Sequence, residues 1–187
     1  ALAAGLSFSA CGSPDRIAVD VTFPQERSAE PLDGRLILVL SQAAEGEPRL
    51  QVTDGTGAQP VFGIDVEGWA PGSPATFTDT VFGYPVKRLG DLPAGTYRAQ
   101  AILNRYQTFT RADGHVVKLP PDKGEGQQWA RKPGNLYSQV TEFTVGPEGG
   151  SDRLVLALTE EIPPIPDFAQ QETEWIKYVR IRSDLLS

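Results

Sequence analysis

The chain has 187 residues, enough for one full domain with tails, and it can bury enough apolar surface to fold without metal or disulfide. One cysteine excludes an internal disulfide, one histidine excludes a histidine-rich metal site, and a net charge of −7 argues against general nucleic-acid binding. Nineteen glycines and sixteen prolines exceed ordinary usage and suit a protein of many turns and short strands. Composition points away from catalysis, and no cofactor is called for.

Residues 1–10 (ALAAGLSFSA) are small, apolar and uncharged, like the end of a secretory signal without its basic start. Phe8-Ser9-Ala10-Cys11, followed by Gly12-Ser13, approximates a bacterial lipobox, with Phe8 in place of the usual aliphatic residue. Cys11 is then either a lipid-bearing residue or an incidental thiol in an apolar leader. Ten apolar residues fall short of the roughly 20 that a helix needs to span a bilayer. The expectation is an exported, periplasmic protein associated with the membrane through this leader.

From Arg16 the apolar pattern has period two. Ile17, Val19, Val21 and Phe23 alternate with polar or small residues, the mark of a half-buried strand. Leu36, Leu38 and Leu40 alternate with Ile37 and Val39, so that strand is apolar on both faces and central. Residues 61–66 put Phe62, Ile64 and Val66 on one side, and residues 77–82 and 86–89 are shorter candidates. Tyr97, Ala99, Ala101 and Leu103 form one face of a further strand, and residues 138–145 and 153–159 supply two more. Turn sequences separate them: Asp33-Gly34, Asp54-Gly55, Pro71-Gly72, Pro93-Ala94-Gly95 and the glycine-rich stretch 146–150. About eight short strands without a long helix predict an all-β protein, an Ig-like β-sandwich. Tyr97, just after a Pro/Gly corner at the start of its strand, has the position of a tyrosine corner, whose hydroxyl bonds back to the preceding backbone.

Before the penultimate strand lies a long insertion, residues 104–136, with Asp113-Gly114 as the expected two-residue turn of a hairpin. Between Arg98 and Lys132 there are seven basic and three acidic residues, a local net of +4 in an otherwise acidic chain. Tyr106, Phe109, Trp129 and Tyr137 are interleaved with that charge. Connections this long are usually functional or disordered, and aromatics and arginines dominate binding hot spots. The expected protein interface is therefore Tyr106, Phe109, Arg111, Trp129 and Arg131, with Tyr137 assigned to packing. Beyond Thr159, Glu160-Glu161 read as solvated residues beside a linker stiffened by Pro163, Pro164 and Pro166. The segment from Glu172 onward carries Trp175, Ile176, Tyr178, Val179, Ile181, Leu185 and Leu186. Its periodicity fits either a strand or a helix, and its apolar content demands a packing partner, which adds Trp175 and Tyr178 to the interface.

Catalytic and metal-binding patterns are scarce. There is no Gly-x-Ser-x-Gly elbow, zinc spacing, phosphate-binding glycine loop or EF-hand loop. His115, the one imidazole, follows Asp113-Gly114 and reads as a solvated turn residue, although a Ser-His-Asp arrangement around it stays open at this stage.

Several stretches taken together resemble the N-terminal β-domain of exported bacterial esterases of the α/β-hydrolase family. They are residues 62–71 (FGIDVEGWAP), 92–97 (LPAGTY), 99–109 (AQAILNRYQTF) and 111–115 (RADGH). Gly124-Glu125-Gly126-Gln127 with Trp129, and residues 133–138 (PGNLYS), belong to the same set. The resemblance spans roughly Val19 to Ser187 and implies an Ig-like accessory domain. In that family the segment matching Trp175 to Ser187 leads into the hydrolase domain that carries the nucleophile, whereas this chain stops at Ser187. No catalytic residue carries over.

These features give an expected division into a leader or tether (1–15), a sandwich (16–160) and a proline linker with a docking tail (161–187). The expected function is a non-catalytic structural or docking subunit on the periplasmic face of a membrane complex, such as a respiratory or photosynthetic one. Its partners would be other protein subunits and the membrane, with no metal or nucleic acid. The alternative is the accessory or substrate-binding domain of a periplasmic esterase cut before its catalytic domain.

Overall fold

The computed structural model describes residues 17–55, 57–123, 126–147, 153–166, 172–179 and 181–182. These form an all-β sandwich. Three long strands make its centre: β2 (Leu32–Ser41), β3 (Val61–Trp69) and β6 (Gly95–Arg105). Around them lie β1 (Val19–Thr22), β4 (Ala75–Phe77), β5 (Gly83–Tyr84), β7 (Gln107–Thr110) and β8 (Val116–Leu119). The chain continues through β9 (Leu136–Tyr137), β10 (Thr141–Val145), β11 (Leu154–Ala157) and β12 (Glu160–Glu161).

The large sheet runs β12-β9-β6-β2-β3-β5, and β10 continues the line of β9 along β6. Opposite it, β11-β1-β4 form a small sheet in which β1 pairs with β11 in parallel. Between β9 and β10 the register moves by one residue, from Ile102 opposite Tyr137 to Ala99 opposite Thr141. Such an extra residue is a β-bulge, which bends the strand and re-aims its side chains.

The alternation seen in the sequence decides the layers, because successive side chains of a strand point to opposite faces. Leu36, Leu38 and Leu40 of β2 join Tyr97, Ala99, Ala101 and Leu103 of β6 and Phe62 of β3 on the inner face. There they meet Ile17, Val19, Val21 and Phe23 around β1, and all of these are buried in one core. Phe23 meets Trp69 edge-on at 4.8 Å between ring centroids, a favoured aromatic geometry. On the outer face of the large sheet Ile37, Val39 and Ile102 form a second, smaller apolar cluster with Ile162. The predicted tyrosine corner is present, with the Tyr97 hydroxyl donating to the Pro93 carbonyl at 2.9 Å.

Several expectations need correction. Residues 77–82 and 86–89 do not form strands of their own: β4 ends at Phe77, Phe82 makes an isolated bridge to Arg88, and Leu89–Asp91 is a 3-10 turn. Asp113-Gly114 is part of a three-residue loop, since Arg111 and His115 still exchange a backbone hydrogen bond (2.8 Å) and the Gly114 N–H reaches the Arg111 carbonyl (2.9 Å). Gly114 supplies the left-handed residue (φ +84°) that this bulged loop requires. Glu160 and Glu161, half-buried and exposed respectively, form a short strand, β12, just ahead of the buried Ile162. The described part of the tail is neither strand nor helix.

Candidate interaction surface

The insertion is held at both ends by the large sheet. β6 extends through Arg105, whose backbone N–H donates to the buried Asn135 side chain (3.0 Å), and the Tyr106 N–H still donates to the Asp33 carbonyl (2.9 Å), so the connection leaves the sheet after Tyr106. Its first half is the β7–β8 hairpin, an isolated two-stranded ribbon with mostly exposed faces. Lys118 of β8 ties it to the sandwich through Asp33 (3.0 Å) and more loosely Glu67 (3.8 Å). Asp33 also accepts the Gly68 N–H at 2.7 Å, and that bond, together with Lys118, holds its carboxyl below the usual carboxylate range. Between hairpin and sheet lies a cleft of about 500 Å³ lined by Asp33, Asp65, Glu67, Lys118 and Tyr106. Burial, reinforced by the Asp65 charge, pushes the Tyr106 phenol up.

The second half of the insertion returns across the outer face of the large sheet. Trp129 and Tyr137 pack on the outer apolar cluster, together with Val52 and Val61. Asn135 donates to the Trp129 carbonyl at 2.8 Å, and Arg49 donates to the Ala130 carbonyl. Arg49 is buried beneath this crossing. It pairs with Glu47 at 2.6 Å and lies 4.3 Å from the centre of the Tyr137 ring, a cation–π contact. Gln100, buried on β6, accepts the Arg49 N–H (3.1 Å) and donates to Glu47 (3.0 Å) and to the Ser138 carbonyl (3.1 Å). Burial pushes the Glu47 carboxyl up, but the bonds from Arg49 and Gln100 outweigh it and leave it lowered. Buried polar groups partnered in this way hold the crossing in one position.

One aromatic pair on this face was missed in the sequence. Phe82 and Tyr84 flank Gly83 at the sheet edge and are 73% and 59% exposed. A Cβ on Gly83 would stand 2.4 Å from the Phe62 ring and 2.5 Å from the Val61 carbonyl, so glycine lets this edge approach the core closely. Because neighbours in a strand point to opposite faces, Phe82 and Tyr84 both turn outward. With Ile37, Val61, Gly63 and Trp129 they line an open cleft of about 260 Å³. The Phe-Gly-Tyr alternation is the available signal, cut at Phe82 by the end of the strand expected over 77–82.

The predicted interface residues do not come together. Phe109 is partly exposed on the hairpin, and Arg111 pairs with Asp113 at its tip (2.9 Å). Trp129 rests half-buried on its own sheet, with exposed Arg131 beside it. Trp175 and Tyr178 belong to the exposed tail. Cys11 lies outside the described residues. The His115 imidazole is three-quarters exposed, and Nδ1 is 3.1 Å from Asp113 Oδ1, its one side-chain partner among the described residues. No group of three or more His, Cys, Asp or Glu side chains among the described residues is arranged to hold a metal. No protein-family model, curated protein or solved structure matches the chain.

Proposed function

We propose that this is a non-catalytic, exported β-sandwich that serves as a structural or docking subunit on the periplasmic face of a membrane protein complex. One observation carries the reading: Trp175, Ile176, Tyr178, Val179 and Ile181 all stay exposed, Trp175 at 86%. Exposed apolar groups gathered in so short a segment mark a contact site. The apolar leader that ends at Cys11 supports export and a place at the membrane.

The segment has local order of its own. Thr173 Oγ1 accepts the backbone N–H groups of Trp175 (3.2 Å) and Ile176 (3.1 Å). Glu172 binds Lys177 Nζ (3.1 Å) and the Tyr178 N–H (3.2 Å). This turn displays Trp175 and lowers the entropy lost on docking. Affinity-tagged full-length chain, recovered with its partners from gently solubilised membranes, tests the proposal. Trp175→Ala with Tyr178→Ala should lose the partners and leave the melting temperature of the purified chain unchanged. Unchanged partner recovery, or melting that falls along with it, overturns the reading.

A further inference from the structure

The cleft between Trp129 and the Phe82–Tyr84 pair lacks an occupant of defined kind. Its volume of about 260 Å³ falls below the roughly 300–1,000 Å³ of small-molecule pockets, and it suits a large side chain better. Trp129 also lines a second cleft, of about 330 Å³, with Arg49 and Arg131. The rim is basic. Arg88 lies directly opposite Phe82 in its antiparallel bridge, and Arg131 follows Trp129 by two positions. Among the described residues neither arginine forms an ion pair, in a chain whose net charge is −7.

Resting on the docking role given above to the tail, we propose that residues 172–182 of a second copy of this chain fill that cleft, each copy receiving the other's tail. The tail has the complementary form: a displayed tryptophan with an acidic neighbour. Glu172 is taken up by Lys177, whereas Glu174, beside Trp175, makes no ion pair among the described residues. Trp175 fits the aromatic cleft, and Glu174 faces its arginines. One copy leaves its cleft open and Trp175 exposed, and a two-fold pair covers both at once, as closed symmetric dimers do.

Reach permits the exchange. Ile162 is buried in the outer-face cluster, so the tail departs from the face that carries the cleft. The ten residues from Pro163 to Glu172 span up to about 33 Å when extended, and Pro163, Pro164 and Pro166 favour that form. That is longer than the sheet is wide, five strand spacings from β12 to β5 or about 24 Å, so the tail can extend past its own body to a neighbouring copy.

Sedimentation velocity on the full-length chain over a range of concentrations tests this. The expected result is a reversible dimer. Trp175→Ala should weaken it at least about tenfold, as should the cleft double variant Phe82→Ser with Tyr84→Ser. Neither variant should pair with itself, but an equimolar mixture should, because one intact tail then meets one intact cleft. Exposed charges give a second readout that spares the fold: Glu174→Arg weakens pairing, and mixing with an Arg88→Glu, Arg131→Glu chain restores it. A chain that is monomeric at every concentration, a dimer indifferent to these changes, or a monomer whose Trp175 fluorescence depends on Tyr84 overturns the exchange. If the wild-type chain is monomeric and yet loses its membrane partners on Trp175→Ala, the docking function stands and this inference alone falls.

Discussion

Asp20 shows how one residue joins strands that are far apart in sequence. On β1 it accepts a hydrogen bond from Thr76 at 2.6 Å, next to β1 in β4, and forms an ion pair with Arg153, which leads into β11. Three strands of the small sheet therefore meet at one carboxylate. The hydrogen bond from Arg153 holds its carboxyl below the usual range, against a smaller opposing effect of burial, and Thr76 adds to the lowering. A carboxyl with a lowered folded pKa contributes stability that is present above the unfolded value and lost as pH falls through the folded one. Denaturant melts of the wild type should therefore weaken below about pH 3.9, the ordinary aspartate value. Asp20→Asn should remove that part of the pH dependence and cost about 1 kcal/mol at pH 7, since the partner arginine is largely exposed. An unchanged acid limb in Asp20→Asn would show that Arg153 and Thr76 do not set this dependence.

At the scale of elements, the packing of β5 against β3 depends on what β5 lacks. Its glycine leaves no room for a Cβ against Phe62 and Val61, so Gly83→Ala must push the edge off the core. Overpacking of this kind costs about 1–3 kcal/mol. The cost should appear in urea melts as a lower midpoint, and Phe82→Ser, which only alters an exposed ring, should change the midpoint little. Equal midpoints for Gly83→Ala and wild type would rule out the close approach. The central strands were legible in the sequence because each side chain on them faces a defined layer: Leu36 and Ile37 alternate between two apolar clusters, and Tyr97 sits after a corner that only one geometry closes. What escaped was set by distant partners. Nothing local to Val19 announces parallel pairing with Leu154. Glu160 and Glu161 carry no strand signal, and it is Tyr137 and Leu136 opposite them that make them a strand. Trp129 has the composition of an interface residue, but the buried Arg49 and Asn135 draw its segment onto the sheet, and no spacing in the sequence reveals that contact.

For the whole molecule, the architecture divides the chain into regions of unequal stability. β2 and β6 pair along eight positions, from Gly34 opposite Arg105 to Ser41 opposite Arg98, and the side chains of the central pairs are buried. The backbone hydrogen bonds between them can open only when both apolar clusters come apart. The β7–β8 hairpin pairs only with itself, and one of its ties to the sandwich is the partly exposed ion pair between Lys118 and Asp33. Opening it exposes little additional apolar surface, so its local stability should lie far below the global value. Hydrogen exchange at pH 7 should then show a wide spread. Amides of Leu38 and Ile102 should exchange only through global unfolding and slow with every stabilising change to the core. Those of Phe109 and Val117 should exchange orders of magnitude faster and respond to Lys118→Ala, which leaves Leu38 and Ile102 untouched. Hairpin amides protected as strongly as Leu38 would mean that the insertion is part of the cooperative core, and the hairpin could then not move independently of the sandwich.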